Sequence, residues 1–66
     1  MNIKINGEEV PVTAGMTVAA LLAERKVNSA AVVVEYNRTI LERGAWESTT
    51  VGENDCLEIV SFVGGG

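Results

Sequence analysis

The stretch Asn2-Ile3-Lys4-Ile5-Asn6-Gly7-Glu8-Glu9-Val10-Pro11-Val12 decides the fold. Ile3 and Ile5 alternate with polar neighbours, and so do Val10 and Val12, which is the period of a half-buried strand. Between the two runs stands Asn6-Gly7, the strongest short hairpin signal, because a type I′ turn needs positive φ at both central positions. With that pair at the turn, Ile3 falls opposite Val10 and Ile5 opposite Glu8, and the apolar residues of both strands share one face. A slip of one residue would turn each of them to water, so the turn and the pattern specify one register. Pro11 has no N–H to give to a ladder, which places the second strand at a sheet edge.

Beyond Ala14-Gly15 the period changes. Thr17 is the expected N-cap of a helix over Val18 to Lys26, with Val18, Leu21 and Leu22 on the face toward the sheet. Arg25 and Lys26 are expected in the last turn, where they suit the negative end of the helix dipole. Asn28-Ser29 closes the element. Ala30 to Tyr36 reads as a strand with Val32, Val34 and Tyr36 on one face and Val33 and Glu35 on the other. The charge of Glu35 marks the second face as the solvent side. Asn37-Arg38-Thr39 is a turn into a short strand around Ile40-Leu41, and Trp46 is expected at the core margin with its indole N–H paired. In the turn Glu53-Asn54-Asp55, Asn54 is the residue best suited to a left-handed conformation. Cys56 to Val63 forms the last strand, with Leu57 and Ile59 inward and Cys56, Glu58, Val60 and Phe62 outward. The expected fold is α+β: a sheet of four to five strands with one main helix on one face. Residues 1–63 make one domain, and residues 64–66 follow as a glycine tail.

Sixty-six residues with 47% hydrophobic content suffice for one core, although a chain of this size buries only about 60% of its unfolded surface. The net charge of −4 and the scatter of the five basic residues exclude a phosphate-tracking surface, so no nucleic-acid partner is expected. Histidine is absent and Cys56 is the only cysteine. That leaves no His-based general base, no nucleophile–base pair and no metal site to expect. A lone cytosolic cysteine is most often an inert small residue. No apolar run approaches a membrane span. The expectation is a monomeric, cytoplasmic protein that is not an autonomous enzyme.

The unusual feature is Gly64-Gly65-Gly66. A glycine run alone is a weak signal, since flexible tails carry the same composition. Its position after a strand, at the end of the polypeptide, strengthens it. Without Cβ atoms such a tail can enter a channel closed to other residues. The α-carboxylate it carries is ionised at neutral pH, and so needs activation before it can donate an acyl group.

Several stretches resemble the ThiS family, the bacterial sulfur carriers of thiamin-thiazole biosynthesis. They are Ile3-Lys4-Ile5-Asn6-Gly7, Thr17-Val18-Ala19-Ala20-Leu21-Leu22, Val34-Glu35-Tyr36-Asn37, Ile40 with Arg43 and Trp46, Asp55-Cys56-Leu57-Glu58-Ile59-Val60 and the closing glycines. Asn54 stands where that family often has glycine, and Glu42 where proline is common. The resemblance implies the ubiquitin-like β-grasp, with first and last strands parallel at the sheet centre. It also implies a mechanism. An E1-like adenylyltransferase using ATP and Mg²⁺ adenylates Gly66, and a cysteine desulfurase or other persulfide donor converts it to a thiocarboxylate. Thiazole synthase then takes the sulfur, and no cofactor is held by the carrier itself. Gly64 and Gly65 would enter partner active sites. From the strand pattern itself, Val33, Glu35, Glu58, Val60 and Phe62 are expected to form a mixed apolar and acidic docking face, the alternative for Phe62 being that it folds over a margin of the core. The alternatives are a carrier for molybdopterin, cysteine or tRNA thiolation, a ubiquitin-like modifier that conjugates to proteins, and a plain interaction module.

Overall fold

The N-terminal hairpin forms as its turn chemistry requires. Strands β1 (Asn2–Ile5) and β2 (Glu8–Pro11) pair antiparallel with Ile3 opposite Val10 and Ile5 opposite Glu8. Asn6 and Gly7 adopt φ of 52° and 85°, the two left-handed conformations of a type I′ turn. The computed structural model describes residues 1–62. The remaining elements are helix α1 (Val18–Glu24), strands β3 (Val32–Tyr36) and β4 (Thr39–Leu41), and strand β5 (Cys56–Ser61). Short 3₁₀ turns lie at Ser29–Ala31 and Arg43–Ala45.

The five strands form one mixed sheet in the order β2-β1-β5-β3-β4. The last strand lies at the centre, parallel to β1 and antiparallel to β3. This is the β-grasp arrangement that the resemblance implies, and Pro11 does sit on an edge strand. One face of the sheet is covered by α1 and by the segment between β4 and β5. Val18, Leu21 and Leu22 of the helix join Ile3, Ile5, Val12, Val32, Val34, Trp46, Val51 and Leu57 in a single core.

The start of α1 shows why the long segment before β5 belongs to the fold. The first N–H groups of a helix have no partner within it. Here Val18 and Ala19 donate to the carbonyls of Thr49 and Trp46 at 2.9 and 3.0 Å, and Ala20 donates to Thr17 Oγ1 at 3.1 Å. The indole N–H of Trp46 is paired as well, with the Leu41 carbonyl at 3.0 Å.

Three boundaries differ from the sequence expectation. The helix ends at Glu24 rather than Lys26. Lys26 takes φ of 59°, and the N–H groups of Lys26 and Val27 reach back to the carbonyls of Ala23 and Leu22. That is a Schellman cap with lysine at the position glycine usually fills, so neither Arg25 nor Lys26 lies in the last turn. Strand β3 begins at Val32, because Asn28 accepts from Ala30 N–H and caps a 3₁₀ turn over residues 29–31. Strand β5 ends at Ser61. Of the expected strand and tail, Val63 and the glycines at 64–66 lie outside the described residues.

Candidate functional site

Strand β5 leads toward the glycine run, and the structure holds it from both sides. Toward β1, Lys4 and Asn6 donate their N–H groups to the carbonyls of Asp55 and Leu57 at 2.8 and 2.9 Å. The Asn6 side chain then extends the ladder by one step. Its Oδ1 accepts from Ile59 N–H at 2.7 Å, and its Nδ2 donates to the Ile59 carbonyl at 3.2 Å. Toward β3 the pairing runs from Tyr36–Leu57 to Val32–Ser61. One further bond, from Phe62 N–H to the Ala31 carbonyl at 2.9 Å, secures the chain beyond the strand end.

The start of β5 is held by a polar cluster. Asn37 N–H donates to the Cys56 carbonyl at 2.8 Å, and Asn37 Oδ1 accepts from Cys56 N–H at 2.9 Å. The Asp55 carboxylate accepts from Gly52 N–H at 2.6 Å, from Asn37 Nδ2 at 3.2 Å and from the Tyr36 hydroxyl. The Tyr36–Asp55 bond, aided by burial and by the carboxylate charge, pushes the Tyr36 pKa from 10.0 up to about 12. For Asp55, burial acts upward, but the donors from Tyr36, Gly52 and Asn37 together outweigh it and hold the carboxyl below its ordinary value. This cluster ties loop to strand.

The five residues expected to form a docking face occupy the sheet face opposite the helix. Across β5 and β3, Val60 pairs with Val33 and Glu58 with Glu35. Val33, Val60 and Phe62 are 38%, 54% and 50% exposed, and Glu58 is exposed while Glu35 is half-buried. Phe62 thus lies open rather than folded over the core. A sixth member escaped sequence reasoning: Ile40, 63% exposed, is the β4 partner of Glu35. The turn is the two residues Asn37-Arg38, both at positive φ, and it places Ile40 directly across from Glu35. Adjacent Ile40 and Leu41 read as one apolar pair, although a strand sends them to opposite faces.

Cys56 is exposed, and its register partner on β1 is Lys4. That neighbour was invisible in sequence, since a parallel pairing between chain ends leaves no local trace. On the helix side, Ala19, Leu22, Ala23, Val27 and Trp46 line an open groove with Arg43 and Glu47. The Arg43 guanidinium lies over the Trp46 ring, 5.3 Å from its centre. Among the described residues no group of three or more His, Cys, Asp or Glu side chains could hold a metal ion. Among the described residues no helix is long and apolar enough to cross a membrane.

Comparison with known proteins completes the picture. The ThiS family model matches residues 3–66. A protein of Paramagnetospirillum magneticum named thiazole synthase is 47% identical over all 66 residues, yet this chain spans only 20% of that protein's length. The sulfur carrier protein ThiS of Bacillus subtilis is 32% identical over 65 residues, which cover 97% of this chain and 98% of the relative. The crystal structure of the thiamine biosynthesis protein ThiS from Geobacter metallireducens superposes with a TM-score of 0.88 at 39% identity, covering both chains in full. With the parallel central pairing in place and the match running from the first strand through the closing glycines, the chain belongs to the ThiS family.

Proposed function

We infer that the chain is a sulfur carrier of thiamin biosynthesis whose working group is the carboxylate of Gly66, and that it acts as a carrier rather than an enzyme. The observation that carries this reading is the family match over residues 3–66, which takes in the glycine run as well as the folded domain. The clamped β5 supports it. A central strand held on both sides carries the chain as far as Phe62. In this reading the domain acts as a handle for the glycine run.

The chemistry follows from the weakness of a carboxylate as an acyl donor. One Gly66 oxygen attacks the α-phosphorus of ATP on an E1-like adenylyltransferase, pyrophosphate leaves with Mg²⁺, and an acyl-adenylate forms. The terminal sulfur of a donor persulfide, such as that of a cysteine desulfurase, attacks the acyl carbon and AMP departs. A thiol that forms a disulfide with the donor sulfur supplies two electrons, and the acyl disulfide opens to the thiocarboxylate. Thiazole synthase is the sulfur acceptor in this reading. Two proteins named thiazole synthase, from Paramagnetospirillum magneticum and Magnetococcus marinus, each contain a segment similar to this whole chain. The outer sheet face around Val33, Glu35, Glu58, Val60 and Phe62 is the surface through which partners hold the carrier.

Intact mass spectrometry tests the proposal. The chain is incubated with the activating enzyme, ATP and a persulfide donor. Exchange of one oxygen for sulfur, confined to the C-terminal peptide and lost when Gly66 is deleted, is the expected result. An unchanged mass with an enzyme proven active on another carrier would reject the reading.

A further inference from the structure

The outer face of β3, β4 and β5 is arranged in rows. Phe62 stands first, then Val60 beside Val33, then Glu58, Glu35 and Ile40 side by side, and then Cys56 beside Lys4. The third row is unusual. Two carboxylates face each other directly across a strand pair, an arrangement that costs stability relative to a neutral pair. Apolar side chains border them on two sides, Val33 and Val60 in the row above and Ile40 at the end of their own. Lys4 aligns with Cys56 and is only a diagonal neighbour of Glu58, so the register sets no cation directly opposite either carboxylate.

We propose that this face docks thiazole synthase, and that the partner places an arginine side chain between Glu35 and Glu58 while its apolar surface covers Val33, Ile40, Val60 and Phe62. The proposal rests on the carrier reading for the identity of the partner. Charge and shape argue for the arginine. A planar guanidinium offers donors to two carboxylates at once, and it is weakly hydrated enough to enter an apolar collar, which an ammonium resists. The same carboxylates disfavour a second copy of this chain as the occupant, since a symmetric contact would bring four of them together in a drying interface. The repulsion in the free carrier is thereby relieved on binding. Such a trade of stability for recognition is common at binding surfaces.

The test measures the affinity of the thiazole synthase of the same organism for the wild-type chain, for Glu35→Gln, for Glu58→Gln and for Glu24→Gln, a control on the helix. Titrations are run at several salt concentrations, and thermal melts of each free carrier accompany them. Each of the first two variants is expected to bind about tenfold more weakly. Each should also show a flatter salt dependence and melt slightly higher than wild type when free. Glu24→Gln should bind as wild type does. Unchanged affinity in the Glu35 and Glu58 variants overturns the proposal, and so does wild-type affinity that ignores salt. Weaker binding accompanied by lower melting temperatures points to simple damage and also overturns it. Dimerisation of the free carrier that Ile40→Ser abolishes would assign the face to a second copy instead. Thiocarboxylate formation is followed by mass in the same variants. A chain that acquires sulfur yet is insensitive at both glutamates remains a carrier and loses only this docking mode.

Discussion

Tyr36 and Asp55 show how a single contact can be read from both of its ends. Their hydrogen bond raises the phenol to about 12 and, with the Gly52 and Asn37 donors, lowers the carboxyl against the upward effect of burial. The linkage then has a definite sign for each group. Tyr36 has a folded pKa above its ordinary 10.0, so its contribution is complete below pH 10 and disappears as the pH rises through about 12. Asp55 has a folded pKa below its ordinary value, so its contribution is present above the usual aspartate range and is lost as the pH falls through that lowered value. Tyr36 is the only tyrosine in the chain, which makes the experiment clean. Ultraviolet titration of wild type should give a midpoint near 12, and Asp55→Ala should return it toward 10. Circular dichroism recorded alongside restricts the reading to folded protein. The variant also leaves the Gly52 N–H without an acceptor and should lose about 1–3 kcal/mol in urea denaturation at neutral pH. A midpoint near 10 in wild type would show that the bond does not persist in solution.

At the scale of elements, the two hairpin turns do more than reverse the chain. Asn6 and Asn37 both hold positive φ, at 52° and 50°, and each then spends its side chain on β5, at Ile59 and at Cys56. The central strand is thus clasped by an asparagine from either flank. Asn6→Gly separates the two roles. Glycine accepts the turn conformation freely, so a loss of stability measures the two bonds to Ile59, expected at about 1–2 kcal/mol by thermal and urea unfolding. An equal or higher melting temperature would mean that the clasp contributes nothing. The first hairpin was legible because Asn6-Gly7 states its turn type outright. Thr17 and the Val18–Leu21–Leu22 stripe likewise announced the helix. Its end was not legible, because Lys26 fills a left-handed position that sequence patterns reserve for glycine, while Val27 after it packs against the core. Arg38, at φ of 73°, hides the second two-residue turn for the same reason, and with it the exposure of Ile40. The parallel β1–β5 pairing joins opposite ends of the chain. It came from family resemblance and not from any residue pattern, and the Cys56–Lys4 neighbourhood depends on it.

For the whole molecule, the decisive quantity is its small margin of stability. A domain of this length has roughly 3–10 kcal/mol in hand by the usual per-residue range, and its core consists of one layer between sheet and helix. Leu57 lies at the centre of that layer on the central strand and is 0% exposed. Its backbone carbonyl receives Asn6 N–H, and Tyr36 is its β3 partner. Leu57→Ala is expected to cost about 2–5 kcal/mol, a large share of the total. A measurable fraction of the chain should then be unfolded at 37 °C, seen as a lowered urea midpoint and collapsed amide dispersion in NMR spectra. The functional consequence separates handle from tail. If partners recognise the folded sheet, thiocarboxylate formation should fall with the folded fraction although residues 64–66 are untouched, and saturating partner should restore part of it by mass action. If the glycine run were recognised by itself, the variant would be activated at the wild-type rate however much of it is unfolded. Parallel measurement of folded fraction and activation rate across a urea series distinguishes the two, and the sheet-handle reading requires that they decline together.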